Sequence, residues 1–241
     1  MLSPMKTGNV ATDVEVFALA ACFATKVKSL GASGDCVQSA INDRNHRLWL
    51  AVENSLKPSL DFILRSWQTF YRTYLGKEVD FSGLILPDKQ TGFDRSIILV
   101  RGLTMNQVYD ACAAAFPCWR YSDDLDATVA KNDRDPQNGT YAIWIRDRVE
   151  ADVELDDLSA NMLAERKIKG ITLLERMLFE LKYFSETGEH LDVKTWTLCS
   201  GSRDLSDFVP RVHQPGSEFR VYSYSANFHR PCRRSREVIS L

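Results

Sequence analysis

Residues 172–188 read TLLERMLFELKYFSETG, a helix with both of its ends written out. Thr172 followed three residues later by Glu175 is a capping box, in which hydroxyl and carboxylate satisfy two orphan amides reciprocally. Behind it Leu173, Leu174, Met177, Leu178, Leu181 and Phe184 recur at helical spacing on one face. Gly188 stands where a left-handed residue closes the last turn.

Working outward, a shorter helix is predicted from Ser159 to Lys167. Before it, the turn-coded loop 132–139 feeds Tyr141-Ala-Ile-Trp-Ile145, an aromatic and β-branched strand. Further upstream, Ile97-Ile-Leu-Val100 has the length and branching of a buried strand. Thr104 can cap a helix carrying Met105, Val108, Tyr109, Cys112 and Phe116 until Pro117 stops it. Downstream of Gly188 the helical period disappears. Strand-like runs at 196–199, 209–213, 219–224 and 237–241 alternate with Gly, Pro, Ser, Asp and Asn, the pattern of a small antiparallel sheet with loops.

The N-terminal third differs in kind. Residues 12–75 read as helices, the clearest starting at Pro58 with Leu60, Ile63, Leu64, Trp67, Phe70, Tyr71 and Tyr74 on one face and Gly76 at its end. The Gly-, Pro- and Asp-containing stretch 77–92 suits a linker. The expected organisation is therefore α+β: a helical module over residues 1–80, then a mixed domain of two helices and a small antiparallel sheet over residues 81–241.

With 241 residues, 44% hydrophobic and 26% charged, the chain has the composition of an ordinary globular protein. Its net charge of -2 gives the whole molecule no reason to seek nucleic acid or an anionic membrane. The nine-residue apolar stretch 16–24 is far short of the ~20 residues a membrane helix needs, and it reads as a buried helix. Asp13 and Glu15 precede it where a secretory leader carries positive charge, so a cytoplasmic location is the default expectation. Six scattered cysteines without CxxC spacing suit reduced thiols.

Catalytic signatures are missing from the pattern. Ser200-Gly201-Ser202 is not the Gly-x-Ser-x-Gly elbow, and Cys199 with His190 or His213 is a thiol and base pair only if the fold joins them. No paired Cys/His set has ligand spacing, and loop 132–139 departs from a calcium loop at the position that needs glutamate, so neither metal nor cofactor is expected. The carboxylates Glu150, Asp152, Glu154, Asp156 and Asp157 read as a solvated charge group ahead of a helix.

The last forty residues stand apart. From Cys199 onward there are seven arginines and four carboxylates, a local excess of three positive charges on a chain that totals -2. Interleaved with them are Phe208, His213, Phe219, Tyr222, Tyr224, Phe228 and His229. Arginine and aromatic groups offer large contact area at low entropic cost, the chemistry of binding faces, and single-stranded nucleic acid can use the same groups through stacking and phosphate contacts.

Seven segments carry a resemblance: GTYAIWIRDR at 139–148, LSAN at 158–161, KGITLLER at 169–176, ETG at 186–188, HLD at 190–192, WTLCSGSR at 196–203 and RSREVISL at 234–241. Together they resemble a family of uncharacterised bacterial proteins that end in a hypervariable tract. That pattern is similar to the variable proteins of diversity-generating retroelements, whose C-terminal domain has the C-type lectin fold. Better-known members carry Gly-Gly-Ser-Trp near the start of the tract, where this chain has Ser200-Gly201-Ser202-Arg203.

The resemblance spans about residues 93–241 and implies a rigid scaffold displaying side chains diversified by reverse transcription of a template. It implies a variable tract at about 199–236, a last strand beside the 141–145 strand, and display positions among Asp204, Phe208, Arg211, His213, Arg220, Tyr222, Tyr224, Asn227, Phe228 and His229. The resulting expectation is a non-enzymatic protein that binds another protein or other macromolecular ligand. Two alternatives stay open: a nucleic-acid-associated protein using the Arg and aromatic tail, and an enzyme with an unrecognised acid or thiol site.

Overall fold

The computed structural model describes Ala21, residues 23–29, residues 31–42 and residues 59–241. The chain divides into two compact units, Lys6–Leu64 and a larger one containing Arg65–Leu241. In the smaller unit residues 23–29 are helical, and α1 (Gly34–Ile41) starts at Ser33, whose hydroxyl accepts from Cys36 N. The apolar stretch 16–24 lies mostly outside the described residues, and of its described members Phe23 is exposed. Pro58 also lies outside them.

Of helix α2 (Leu60–Leu75), residues 65–75 belong to the larger unit. Trp67, Phe70 and Tyr71 are buried there, and the Tyr71 hydroxyl donates to Ile98 O at 2.7 Å. The following stretch, read as a linker, lies within that unit, with Phe81, Pro87 and Phe93 buried. Local apolar residues anchor it despite its loop composition.

Strand β1 (Arg95–Leu99), α3 (Met105–Ala115) and β2 (Cys118–Arg120) follow, then the short α4 (Leu125–Thr128) and β3 (Lys131–Asn132). Helix α3 opens on a capping box between Thr104 and Gln107. A 3-10 turn, Pro136–Asn138, capped by Asp135, leads into β4 (Tyr141–Ile145), which pairs antiparallel with β1 from Arg95↔Ile145 to Leu99↔Tyr141.

Helices α5 (Ala160–Glu165) and α6 (Leu173–Thr187) come next. The capping box of α6 forms as its sequence demands, and Gly188 takes φ +74. The one-sided apolar expectation is too narrow: Glu175, Arg176, Glu180 and Lys182 on the other side of α6 are buried too. α6 packs on α3, β1 and β7, so it is the centre of the unit.

The remaining strands are β5 (Trp196–Leu198), β6 (Ser202–Arg203), β7 (Val209–His213), β8 (Phe219–Tyr224) and β9 (Arg233–Arg234). Five form one sheet in the order β2-β8-β7-β5-β9, while β6 pairs with β3. The outer pairs β2/β8 and β5/β9 are parallel and the inner pairs antiparallel, so the sheet is mixed rather than purely antiparallel. Residues 237–241 make two isolated bridges, Gly170↔Glu237 and Trp144↔Ile239, instead of a continuous strand. The second places the end of the chain beside β4.

No helix among the described residues is long and apolar enough to cross a membrane.

Candidate binding face

Alternation along a strand sends successive side chains to opposite sides of a sheet. On β8, Phe219 and Val221 are fully buried, which leaves Arg220, Tyr222 and Tyr224 on the other side. The register sets His213 opposite Arg220, Arg211 opposite Tyr222, and Val209 opposite Tyr224. On β2, Trp119 pairs with Arg220, and on β5 Trp196 pairs with Arg233. One face of the sheet is thereby written in aromatic rings and guanidinium groups.

These groups touch in a continuous chain. Trp119 packs on Tyr222 with centroids 5.0 Å apart, Tyr222 on Trp196 at 5.6 Å, Trp196 on His213 at 3.9 Å, and Tyr224 on Phe228 at 4.5 Å. Arg211 sits over Trp196 and Tyr224, 4.1 Å from each ring centroid, and 5.3 Å from Tyr222. Arg233 lies over Phe228 at 4.4 Å and shares Trp196 and Tyr224 with Arg211 at 5.5 and 5.6 Å. Stacking of this kind holds a guanidinium in place without using its hydrogen-bond donors.

The donors of Arg211 are in fact unused. The residue is only 8% exposed, and its Nε and Nη1 meet no acceptor among the described residues. Arg233 Nη1 is in the same position. Burial, and then the neighbouring Arg233, push Arg211 down to about 10, the behaviour of a charge that nothing opposes. Burial also pushes the His213 imidazole below its usual value.

The face brings together Arg211, His213, Tyr222, Tyr224 and Phe228, and Arg220 joins it through Tyr222 Oη at 3.0 Å. The other expected display positions lie on loops. Asp204 is buried, its Oδ1 accepting from Ser206 N and Phe208 N and its Oδ2 from Ser223 Oγ, so its carboxylate fastens the β6–β7 loop. The Phe208 ring is exposed on that loop. Past β8, Asn227 Oδ1 accepts from Asn161 Nδ2 at 2.6 Å, and His229 Nδ1 lies 3.0 Å from Asp157. Trp119, Trp196 and Arg233 belong to the face although none was an expected display position; Arg233 entered the sequence reading only as one of the seven tail arginines. Strand alternation around the two tryptophans was the available signal, and β2 is too short to show it.

Beneath the face the tract is tied to the scaffold by charge. Arg236, 1% exposed, donates to Asp192 Oδ1, Val149 O, Arg148 O and Thr197 Oγ1. Arg176 takes the other Asp192 oxygen at 2.8 Å and Glu180 at 2.8 Å. The carboxylates 150–157, expected to be a solvated group, are instead tethers. Asp152 is buried against Arg146 and accepts from Glu237 N; Asp156 accepts from Cys232 N and Arg234; Glu150 accepts from Thr195. Glu154 keeps a local partner in Arg148, as Asp152 does in Arg146, but Glu237, Cys232, Arg234 and Thr195 lie more than forty residues from the carboxylates they meet, which sequence spacing could not show.

No hydrogen bond joins Cys199 to His190 or His213 among the described residues: His190 Nδ1 is 2.8 Å from Glu180 and His213 Nδ1 is 3.1 Å from Thr195 O, and burial pushes the Cys199 thiol up. In loop 132–139, Asp135 caps the 3-10 turn and Arg134 pairs with Glu175 of α6.

No protein-family model matches this chain, and no match to it was found among curated proteins or solved structures.

Proposed function

We propose that this chain is a non-enzymatic display protein that binds a macromolecular ligand through a diversified surface, about residues 199–236, on a C-type lectin-like scaffold of the kind used by variable proteins of diversity-generating retroelements. The observation that carries the reading is the separation of roles within that tract. Its aromatic groups stack on one another on the outer face of the sheet around the recessed Arg211, while Arg236 and Ser235 at its end are buried and hydrogen-bonded to the scaffold. A surface free to vary needs this arrangement, since exposed substitutions cost little and buried ionic ones cost much.

The Trp144↔Ile239 bridge supports the scaffold assignment, because the resemblance calls for the last segment beside the 141–145 strand. A cytoplasmic location is part of the proposal and suits the free thiols of Cys36, Cys112, Cys118, Cys199 and Cys232. The residues ahead of Arg65, where the larger unit takes over from the module expected over 1–80, are then a helical module for assembly or attachment.

The DNA flanking the coding sequence tests this reading. The expected finding is a reverse-transcriptase gene next to a near-copy of the 3′ end that differs at adenines. A tract identical in every isolate, with no such neighbour, contradicts it.

A further inference from the structure

Of the seven arginines after Cys199, four are satisfied within the chain and Arg230 is exposed to solvent. Arg203 donates to Ser200 O and Ser202 O, Arg220 pairs with Glu218, Arg234 with Asp156, and Arg236 with Asp192. Arg211 and Arg233 differ in kind: both lie over the rings of Trp196 and Tyr224, and both hold buried N–H donors that meet no acceptor among the described residues. Two like charges sharing a half-dry aromatic site oppose each other and lack the water that would screen them. The arrangement is unfavourable in the free protein and becomes favourable when an anionic acceptor enters.

We infer that Arg211 and Arg233, walled by Trp196, Tyr222, Tyr224 and Phe228, form a clasp for the carboxylate of a Glu or Asp side chain on a partner protein, with an apolar or aromatic neighbour of that side chain lying on the rings. The inference rests on the display reading and names the class of partner this face takes. A guanidinium fork matches a carboxylate bidentately, and the match is strongest where water is excluded. A nucleic-acid strand fits less well. Phosphate backbones are gripped by a row of accessible cations, whereas Arg203, Arg220 and Arg234 are already engaged and Arg211 is recessed.

Arg211 makes no hydrogen bond among the described residues, so its role can be separated from folding. The test uses the full-length 15N-labelled chain in phosphate-free buffer, observing arginine Nε–H and tryptophan indole resonances. The probes are acetyl-Glu-Tyr-amide, its isostere acetyl-Gln-Tyr-amide, and an oligothymidine. The acidic dipeptide is expected to shift the Arg211 Nε–H and Trp196 indole signals saturably, with the glutamine isostere at least about ten-fold weaker, the loss expected when one strong charged hydrogen-bond pair is removed. Arg211→Met is expected to abolish the acidic dipeptide's effect while its melting midpoint stays equal to or above that of the parent.

Equal binding of the two dipeptides overturns the carboxylate clasp and leaves the binding face standing. An Arg211 signal that no dipeptide moves overturns it as well. Tighter binding of oligothymidine overturns it in favour of phosphate. An Arg211→Met chain that melts lower yet still binds the acidic dipeptide makes Arg211 a packing residue and ends the proposal.

Discussion

Arg236 Nη2 lies 2.7 Å from Asp192 Oδ1, a buried contact between residues forty-four apart in the chain. The chain runs from Asp192 through the tract and returns to the same carboxylate at Arg236, so the end of the tract is fixed from below, and of the outward side chains His213 reaches back to Asp192 O. Asp192 is shared with Arg176 from α6, which ties the tract to the central helix.

Removing the shared carboxylate strands two buried guanidinium groups. Asp192→Ala is expected to cost roughly 3–5 kcal/mol, the usual penalty for breaking a buried pair from one side. Urea denaturation measures it, and Arg236→Met, which leaves Asp192 paired with Arg176, is expected to be milder.

The same carboxylate gives a pH signature. Burial alone would push Asp192 up, but Arg236 and Arg176 outweigh it and hold the group below the usual carboxylate value of 3.8. The folded form therefore binds fewer protons than the unfolded one. Its ion pairs contribute fully above the unfolded-state value, and the contribution is lost as pH falls through the lower folded value. A 13C titration of the Asp192 side chain should place its midpoint below 3.8 and in step with acid unfolding.

Glycine is required where the tract crosses the loop before α6. A Cβ on Gly201 would lie 2.6 Å from Gly170 O, a backbone atom that cannot step aside, and Gly201 N donates to Ile171 O. Gly201→Ala is expected to destabilise by about 1–3 kcal/mol through overpacking. Thermal melts compare it with Gly216→Ala, where the Cβ meets open space and only the φ of +68 opposes it.

Two neighbouring positions on the β6–β7 loop should respond differently. Asp204→Ala leaves Ser206 N, Phe208 N and Ser223 Oγ without their acceptor, and should cost about 1–3 kcal/mol. Phe208→Ser, at an exposed ring, should stay within about 0.5 kcal/mol of the parent.

Local rules wrote most of the elements openly. The 172/175 capping box, the strand 141–145, and the strands 209–213 and 219–224 appear where spacing and composition placed them, because each depends on neighbours only a few residues away. Strand β2 was hidden: three residues cannot show a period, and its partner β8 lies a hundred residues on. The ionic layer was hidden for the same reason. Glu180, Arg176, Asp152 and Arg236 look like surface charges until the fold sets them against one another. The face itself was half legible. Arginine and aromatic enrichment announced it, but which members stack and which are fasteners depends on register, and Asp204 shows how a polar residue in the right tract can serve the loop.

The central claim is that outward groups on this sheet can change while the tract beneath stays folded. Randomising His213, Arg220, Tyr222, Tyr224, Asn227 and Phe228 together and measuring urea unfolding across the library tests it directly. The account predicts that most members unfold cooperatively and lie within roughly 2 kcal/mol of the parent, as substitutions outside the core do. A library in which most members are unfolded in buffer would show these side chains to be part of the core, and would contradict it.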